Sequence, residues 1–88
     1  IQRPAEYYQK GLKYLAEGDM VSAQMAFAQA YYLSPQNAEY AYMLAKTLPR
    51  DDESELNLIK KILDEALKLK PDYSEAQSLL EMLSQKNE

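Results

Sequence analysis

Apolar residues recur along this chain at intervals of three and four, the spacing of one face of an α-helix, and Gly and Pro fall between the periodic stretches. The pattern predicts five helices. The first runs from about Ala5 to Glu17 and ends at Gly18, a residue that tolerates the left-handed backbone of a helix C-terminus. Asp19 caps the second, about Met20 to Leu33, which stops before Ser34-Pro35 because the residue ahead of a proline is pushed out of the α region. The third begins after Asn37, a good N-cap, and ends before Pro49. The fourth spans about Glu53 to Leu69, with Asp52 and Glu55 at capping-box spacing and Lys68, Lys70 and Pro71 at its end. The fifth, about Tyr73 to Gln85, repeats that spacing with Asp72 and Glu75. Period-2 alternation is missing, so the expected class is all-α, and the short connections make consecutive helices antiparallel hairpins.

The chain also echoes itself. Ala30 to Pro35 returns as Ala66 to Pro71, each time at a helix end, with the two prolines 36 apart. Reading back from Pro35 through Ala30, Phe27, Ala23, Tyr14, Gly11 and Tyr7 gives large-small-large on the first helix and small-aromatic-small on the second. On these residues the sequence resembles the tetratricopeptide repeat family over nearly its whole length. The resemblance implies one domain over 1–88: a repeat at about 4–37, a second at about 38–73 and a capping helix at about 73–86, stacked as a short right-handed superhelix. Small Gly11 and Ala23 would bring two helix backbones together while Tyr7, Tyr14 and Phe27 fill the space beside them. Ala41, Ala45, Leu48, Ile59, Leu63 and Ala66 supply the second repeat. Its inter-helix loop, Pro49 to Ser54, is longer and lacks the Gly18-Asp19 turn, so the loop geometry does not carry over.

The helix faces indicate where such a stack ends. Glu6, Lys10 and Lys13 stand where the third helix has Tyr40, Leu44 and Thr47 and the fifth has Ala76, Leu80 and Leu83. The opposite face of the fifth helix reads Gln77, Glu81 and Ser84. Polar outer faces at both ends are what repeat arrays need, so the expectation is a complete module. The opening residue, Ile1, suggests a processed chain or a piece of a longer one.

Composition narrows the chemistry. With 47% apolar and 27% charged residues the chain suits an ordered domain rather than a disordered one. The net charge of −4, with no run of Lys and Arg, argues against nucleic acid as a partner. There is no Cys and no His, which excludes thiolate nucleophiles, imidazole bases, disulfides and the usual zinc sites. The carboxylate pairs Asp51/Asp52 and Asp64/Glu65 are sequence neighbours, so on a helix they point apart, and the serines have no base beside them. Gly11 and Gly18 make no phosphate-binding loop, and the block Asp51 to Glu55 reads as a solvated loop. No catalysis, cofactor or metal is expected. Neither a membrane-spanning stretch nor a signal peptide is recognisable, which favours a cytoplasmic location.

What remains is binding. Tyr8 and Tyr42 lie 34 apart, at equivalent places on successive first helices, on the side that in tetratricopeptide proteins forms the concave wall. Leu12, Met43, Lys46, Ser78 and Met82 complete the expected groove, a semi-apolar surface with one cation. The resemblance therefore implies a scaffold or adaptor that docks an extended or helical segment of another polypeptide. One family subtype grips a C-terminal carboxylate with basic and Asn side chains. Leu12, Met43, Glu75 and Leu79 occupy those positions here, so no carboxylate-clamp binding of chaperone tails is expected. The alternative is a homo-oligomer held by Met25 and Tyr32 on the convex helices. The segments Tyr7-Tyr8-Gln9-Lys10-Gly11 and Asn37-Ala38-Glu39-Tyr40 are also similar to arrays appended to bacterial J-domain chaperones or signalling proteins.

Overall fold

Glycine, proline and a few capping side chains decide where this chain turns. The computed structural model describes residues 3–85; Ile1 and the Lys86 end of the expected capping helix lie outside them. Among the described residues the chain forms five α-helices and no strand: α1 (Pro4–Ala16), α2 (Met20–Leu33), α3 (Ala38–Thr47), α4 (Glu53–Leu69) and α5 (Ser74–Gln85). The fold is all-α.

Each boundary has a local cause. Pro4 opens α1 at a position where its missing N–H costs nothing. After α1 the chain turns through Gly18 at φ +81°, with Asp19 N–H donating to the Tyr14 carbonyl (2.9 Å) and Gly18 N–H to that of Leu15 (3.0 Å). These are the paired bonds of a Schellman motif, which close off the last carbonyls of the helix. The Asp19 carboxylate then accepts from Ser22 N–H at 3.1 Å, and the Ser22 side chain together with that N–H holds it below the usual carboxylate range. Asn37 caps α3 through Tyr40 N–H, and Asp52 with Glu55 forms the full capping box of α4. The second expected capping box does not form. Gln77 N–H donates to the Tyr73 carbonyl at 3.0 Å, so Tyr73 opens α5, and Asp72 stays in the preceding turn.

The two proline turns match in backbone geometry. Ser34 and Lys70 leave their helices at φ/ψ of −140°/72° and −141°/87°, and the turns close with Asn37 N–H on the Ser34 carbonyl and Tyr73 N–H on the Lys70 carbonyl, both at 3.1 Å. The repeated Ala-to-Pro segment thus makes the same turn twice.

Each helix packs most extensively on its neighbour in sequence, and the molecule is elongated, 44 × 26 × 20 Å. Short connections with extensive contact make consecutive helices run antiparallel. Alanines line the seams: Ala23, Ala30, Ala41, Ala45, Ala66 and Ala76 are fully buried, so backbones approach closely. Phe27, Ile59, Leu63 and Leu83 are the largest fully buried side chains around them. The buried Thr47 hydroxyl donates to the carbonyls of Met43 (2.9 Å) and Leu44 (3.2 Å), so it sits in the core satisfied by its own helix.

Candidate binding groove

Gly11 explains the arrangement around α1. A Cβ there would stand 2.5 Å from Phe27 Cε1, so the glycine exists to receive the face of that ring. With Phe27 seated on Gly11, Tyr8, one turn earlier, meets that ring at a tilt, 5.7 Å between centroids. Tyr8 also meets Tyr40 of α3 at 5.0 Å, and its hydroxyl donates to the Glu39 carboxylate. Burial, then the hydrogen bond to Glu39, raises its phenol far above the ordinary range. Tyr8 was expected to face outward, away from both packing surfaces; it instead ties α1 to α2 and α3. The reason is tertiary: the ring and hydroxyl of Tyr8 meet Tyr40 and Glu39 in the first turn of α3, although Tyr8 itself stays half-exposed.

Met43 needs a second correction. It is only 8% exposed and belongs to the core, not to a groove. One residue beyond Tyr42, it lies ~100° further round the helix. Because α3 packs on both α2 and α4, that rotation turns Met43 inward. Leu12 is half-buried against the same core. Among the repeat-signature residues, Tyr14 packs on the core and also lines a separate hollow of about 270 Å³, which Tyr7 lines with Lys10, Met25 and Gln29. Pro35 and Pro71 are exposed at their turns.

Three of the expected residues do come together. Tyr42, Ser78 and Met82 line an open groove of about 350 Å³ between α3 and α5, with Ser74, Glu75 and Leu79. Met82 is 48% exposed, Leu79 half-buried and Tyr42 half-buried. The Tyr42 ring stacks obliquely on Tyr73, 5.2 Å between centroids. Tyr73 is buried, and its phenol is pushed up to about 12 by burial first and then by the charges of Glu39 and Glu75. Tyr42 is raised by burial and by Glu75. Lys46 is exposed, with its ammonium 6.0 Å from the Tyr42 centroid, and turns toward a neighbouring hollow of about 320 Å³ beside Met20, Val21 and Leu48. The expected single groove is therefore divided, with α5 contributing more and α1 less. Sequence reasoning missed Ser74, Glu75 and Leu79 as groove residues; the signal it offered was a shared face, since 74, 78 and 82 lie on one side of the helix with 75 and 79 beside them.

No family model matches the chain, and no curated protein is significantly similar to it. Function therefore rests on geometry. Among the described residues no group of three or more acidic side chains is placed to hold a metal, and no helix is long and apolar enough to cross a membrane.

Proposed function

We propose that this chain is a tetratricopeptide-like interaction module: two helical hairpins and a capping helix stacked as a short superhelix, docking a segment of another polypeptide in the groove between α3 and α5. It acts as a scaffold, without catalysis or a cofactor. The observation that carries this reading is the groove itself, apolar at Tyr42, Leu79 and Met82 and open to solvent beside a buried core. Apolar side chains left exposed in a concavity are typical of interaction surfaces. The Phe27-on-Gly11 contact and the twin proline turns support the repeat architecture. Leu12, Glu75 and Leu79 offer no cation for a terminal carboxylate, so acidic chaperone tails are not the intended ligand.

The test is a display selection of short random peptides against the full chain, with binders measured by fluorescence anisotropy. Ser78→Trp fills the groove and Met82→Ser strips its apolar floor, neither changing charge. Both variants should melt like the parent and weaken the selected peptides by about tenfold or more. Binders indifferent to both substitutions would move the docking face elsewhere.

A second reading is favoured by α2, which exposes Val21 (68%), Met25 (62%) and Tyr32 (80%). It is self-association through that helix. Sedimentation equilibrium decides it: a monomer at high micromolar concentration removes it, and a dimer lost in Met25→Ser with Tyr32→Ser establishes it.

A further inference from the structure

The hollow beside Lys46 carries charge of one sign. It encloses about 320 Å³ where the first turn of α2, the end of α3 and the stretch 48–50 converge. Exposed Met20 and Val21, with Leu48, give it apolar walls; Lys46 and Arg50 line it directly, and the rest of its lining is uncharged. A chain with 14 acidic and 10 basic residues would be expected to place a carboxylate beside two such cations, and none lines the hollow. The acids that flank it in sequence are turned to other work. Asp19 accepts from Ser22 N–H (3.1 Å), Asp52 from Glu55 N–H (2.9 Å) and Glu55 from Asp51 N–H (2.8 Å). Asp51 and Glu53 are exposed and form no part of the lining.

Both cations keep their charge free for a ligand. Among the described residues neither is ion-paired; the pair that forms is Lys68–Glu65 on α4. Arg50 is half-buried, and its Nη2 donates to the Lys46 carbonyl at 3.1 Å. That bond fixes the guanidinium on the end of α3 and uses one of its five N–H donors. Lys46 Nζ lies 6.0 Å from the Tyr42 centroid, at the outer limit of a cation–π contact, and a neutral ring does not cancel an ammonium charge.

We propose that this hollow is a second docking site, separate from the α3–α5 groove, for an acidic segment of a partner polypeptide: an Asp or Glu side chain held by Lys46 and Arg50, with a neighbouring apolar side chain laid on Met20 and Val21. The charges that line the hollow select this occupant. A basic segment meets two like charges, and a purely apolar one desolvates both cations without pairing them. The chain's net charge of −4 opposes an acidic ligand only at a distance, because exposed charges are screened beyond roughly 8 Å at physiological ionic strength, whereas Lys46 and Arg50 are in contact with whatever enters.

The test is a selection of short random peptides displayed against Ser78→Trp, in which the α3–α5 groove is filled, so that its outcome does not depend on that groove. Binders are synthesised with both termini blocked, which leaves side chains as their only carboxylates, and measured by fluorescence anisotropy. Asp and Glu should be enriched beside a Leu- or Met-like residue. Adding Lys46→Gln with Arg50→Gln should weaken a selected peptide by about fivefold or more, the loss of two exposed pairs. Val21→Asp, which leaves both cations and the end of α3 in place, should weaken it as much by putting a carboxylate in the hollow; an acid in the first turn of α2 suits that helix, so this variant should melt like its parent and decides the matter if the double Gln chain is unstable. Replacing the peptide's acid by its amide should cost as much on Ser78→Trp and little on the double Gln chain. Enrichment of basic or uncharged peptides, the absence of any binder, or full affinity in Val21→Asp or in a folded double Gln chain overturns the proposal. The α3–α5 groove, tested on the parent chain, stands or falls separately.

Discussion

The two hairpins bring their helices together with different atoms. In α1–α2 one glycine accepts one aromatic ring, and the connection is a three-residue turn, 17–19, locked by Gly18 in the left-handed region. In α3–α4 the close approach is shared by Ala41 and Ala45 against Ile59, Leu63 and Ala66, all fully buried, and the connection is the longer stretch 48–52 closed by the Asp52–Glu55 capping box. The first hairpin thus centres its close approach on one ring against one glycine, with Ala23, Ala26 and Ala30 buried beside it, while the second shares its close approach among several aliphatic side chains. Removing that ring, or filling the glycine beneath it, acts on the centre of the first seam at once. The hairpins should therefore respond differently to point substitution.

Phe27→Ala should produce the largest effect, about 3–5 kcal/mol in denaturant titration, a large part of the stability of a domain this size. A loss below about 1 kcal/mol would mean the first hairpin does not hinge on this ring. Gly11→Ala comes next, at about 1–3 kcal/mol, since its Cβ meets Phe27 Cε1 at 2.5 Å. In a Phe27→Leu background the same substitution should cost much less, and strict additivity in that double-mutant cycle would place the strain elsewhere. In the second hairpin Ala45→Gly, which removes one methyl from a shared contact, should cost only about 1 kcal/mol, chiefly through helix propensity.

The two turns sharpen the contrast at smaller scale. Gly18→Ala should cost about 1–2 kcal/mol through its positive φ alone, because nothing crowds that position. Asp52→Ala, which removes one half of the capping box, should cost about 1 kcal/mol.

The smallest effect lies in alkali. The phenols of Tyr8, Tyr31, Tyr42 and Tyr73 are all raised, each chiefly by burial. Below pH ~10 both the folded and the unfolded chain keep these protons, so they contribute no pH dependence. Above it the unfolded chain releases them while the folded chain holds them, up to about 12 for Tyr73, so stability falls as pH rises through that window. Denaturation midpoints should be level on the neutral side and decline in alkali, and Tyr73→Phe should flatten part of the decline. An unchanged slope in that variant would mean Tyr73 titrates freely.

What was legible in the sequence was local. Gly18, Asp19, Asn37, Asp52 with Glu55, and the prolines at 35 and 71 each act within a few residues of themselves, and the helices they predict are the helices that form, to within a residue or two at each end. Asp72 is the instructive exception, because Tyr73 is drawn into the core and opens α5 in its place. The small residues of the seams were equally readable, since helix spacing alone puts Gly11, Ala23, Ala45 and Ala66 on inward faces.

The groove was only partly readable, because exposure is decided by what packs on a helix from elsewhere in the chain. Tyr8 and Tyr42 hold equivalent places in sequence, yet Tyr8 meets Phe27 and Tyr40 while Tyr42 lies on Tyr73 and lines the groove. Met43 and Met82 look alike as exposed methionines of a concave wall, but α3 has helices on two sides and α5 packs chiefly on one, so the first is buried and the second open. Periodicity determines which residues share a face of a helix; how much of that face meets water depends on the number and placement of its neighbours, and only the tertiary structure decides that.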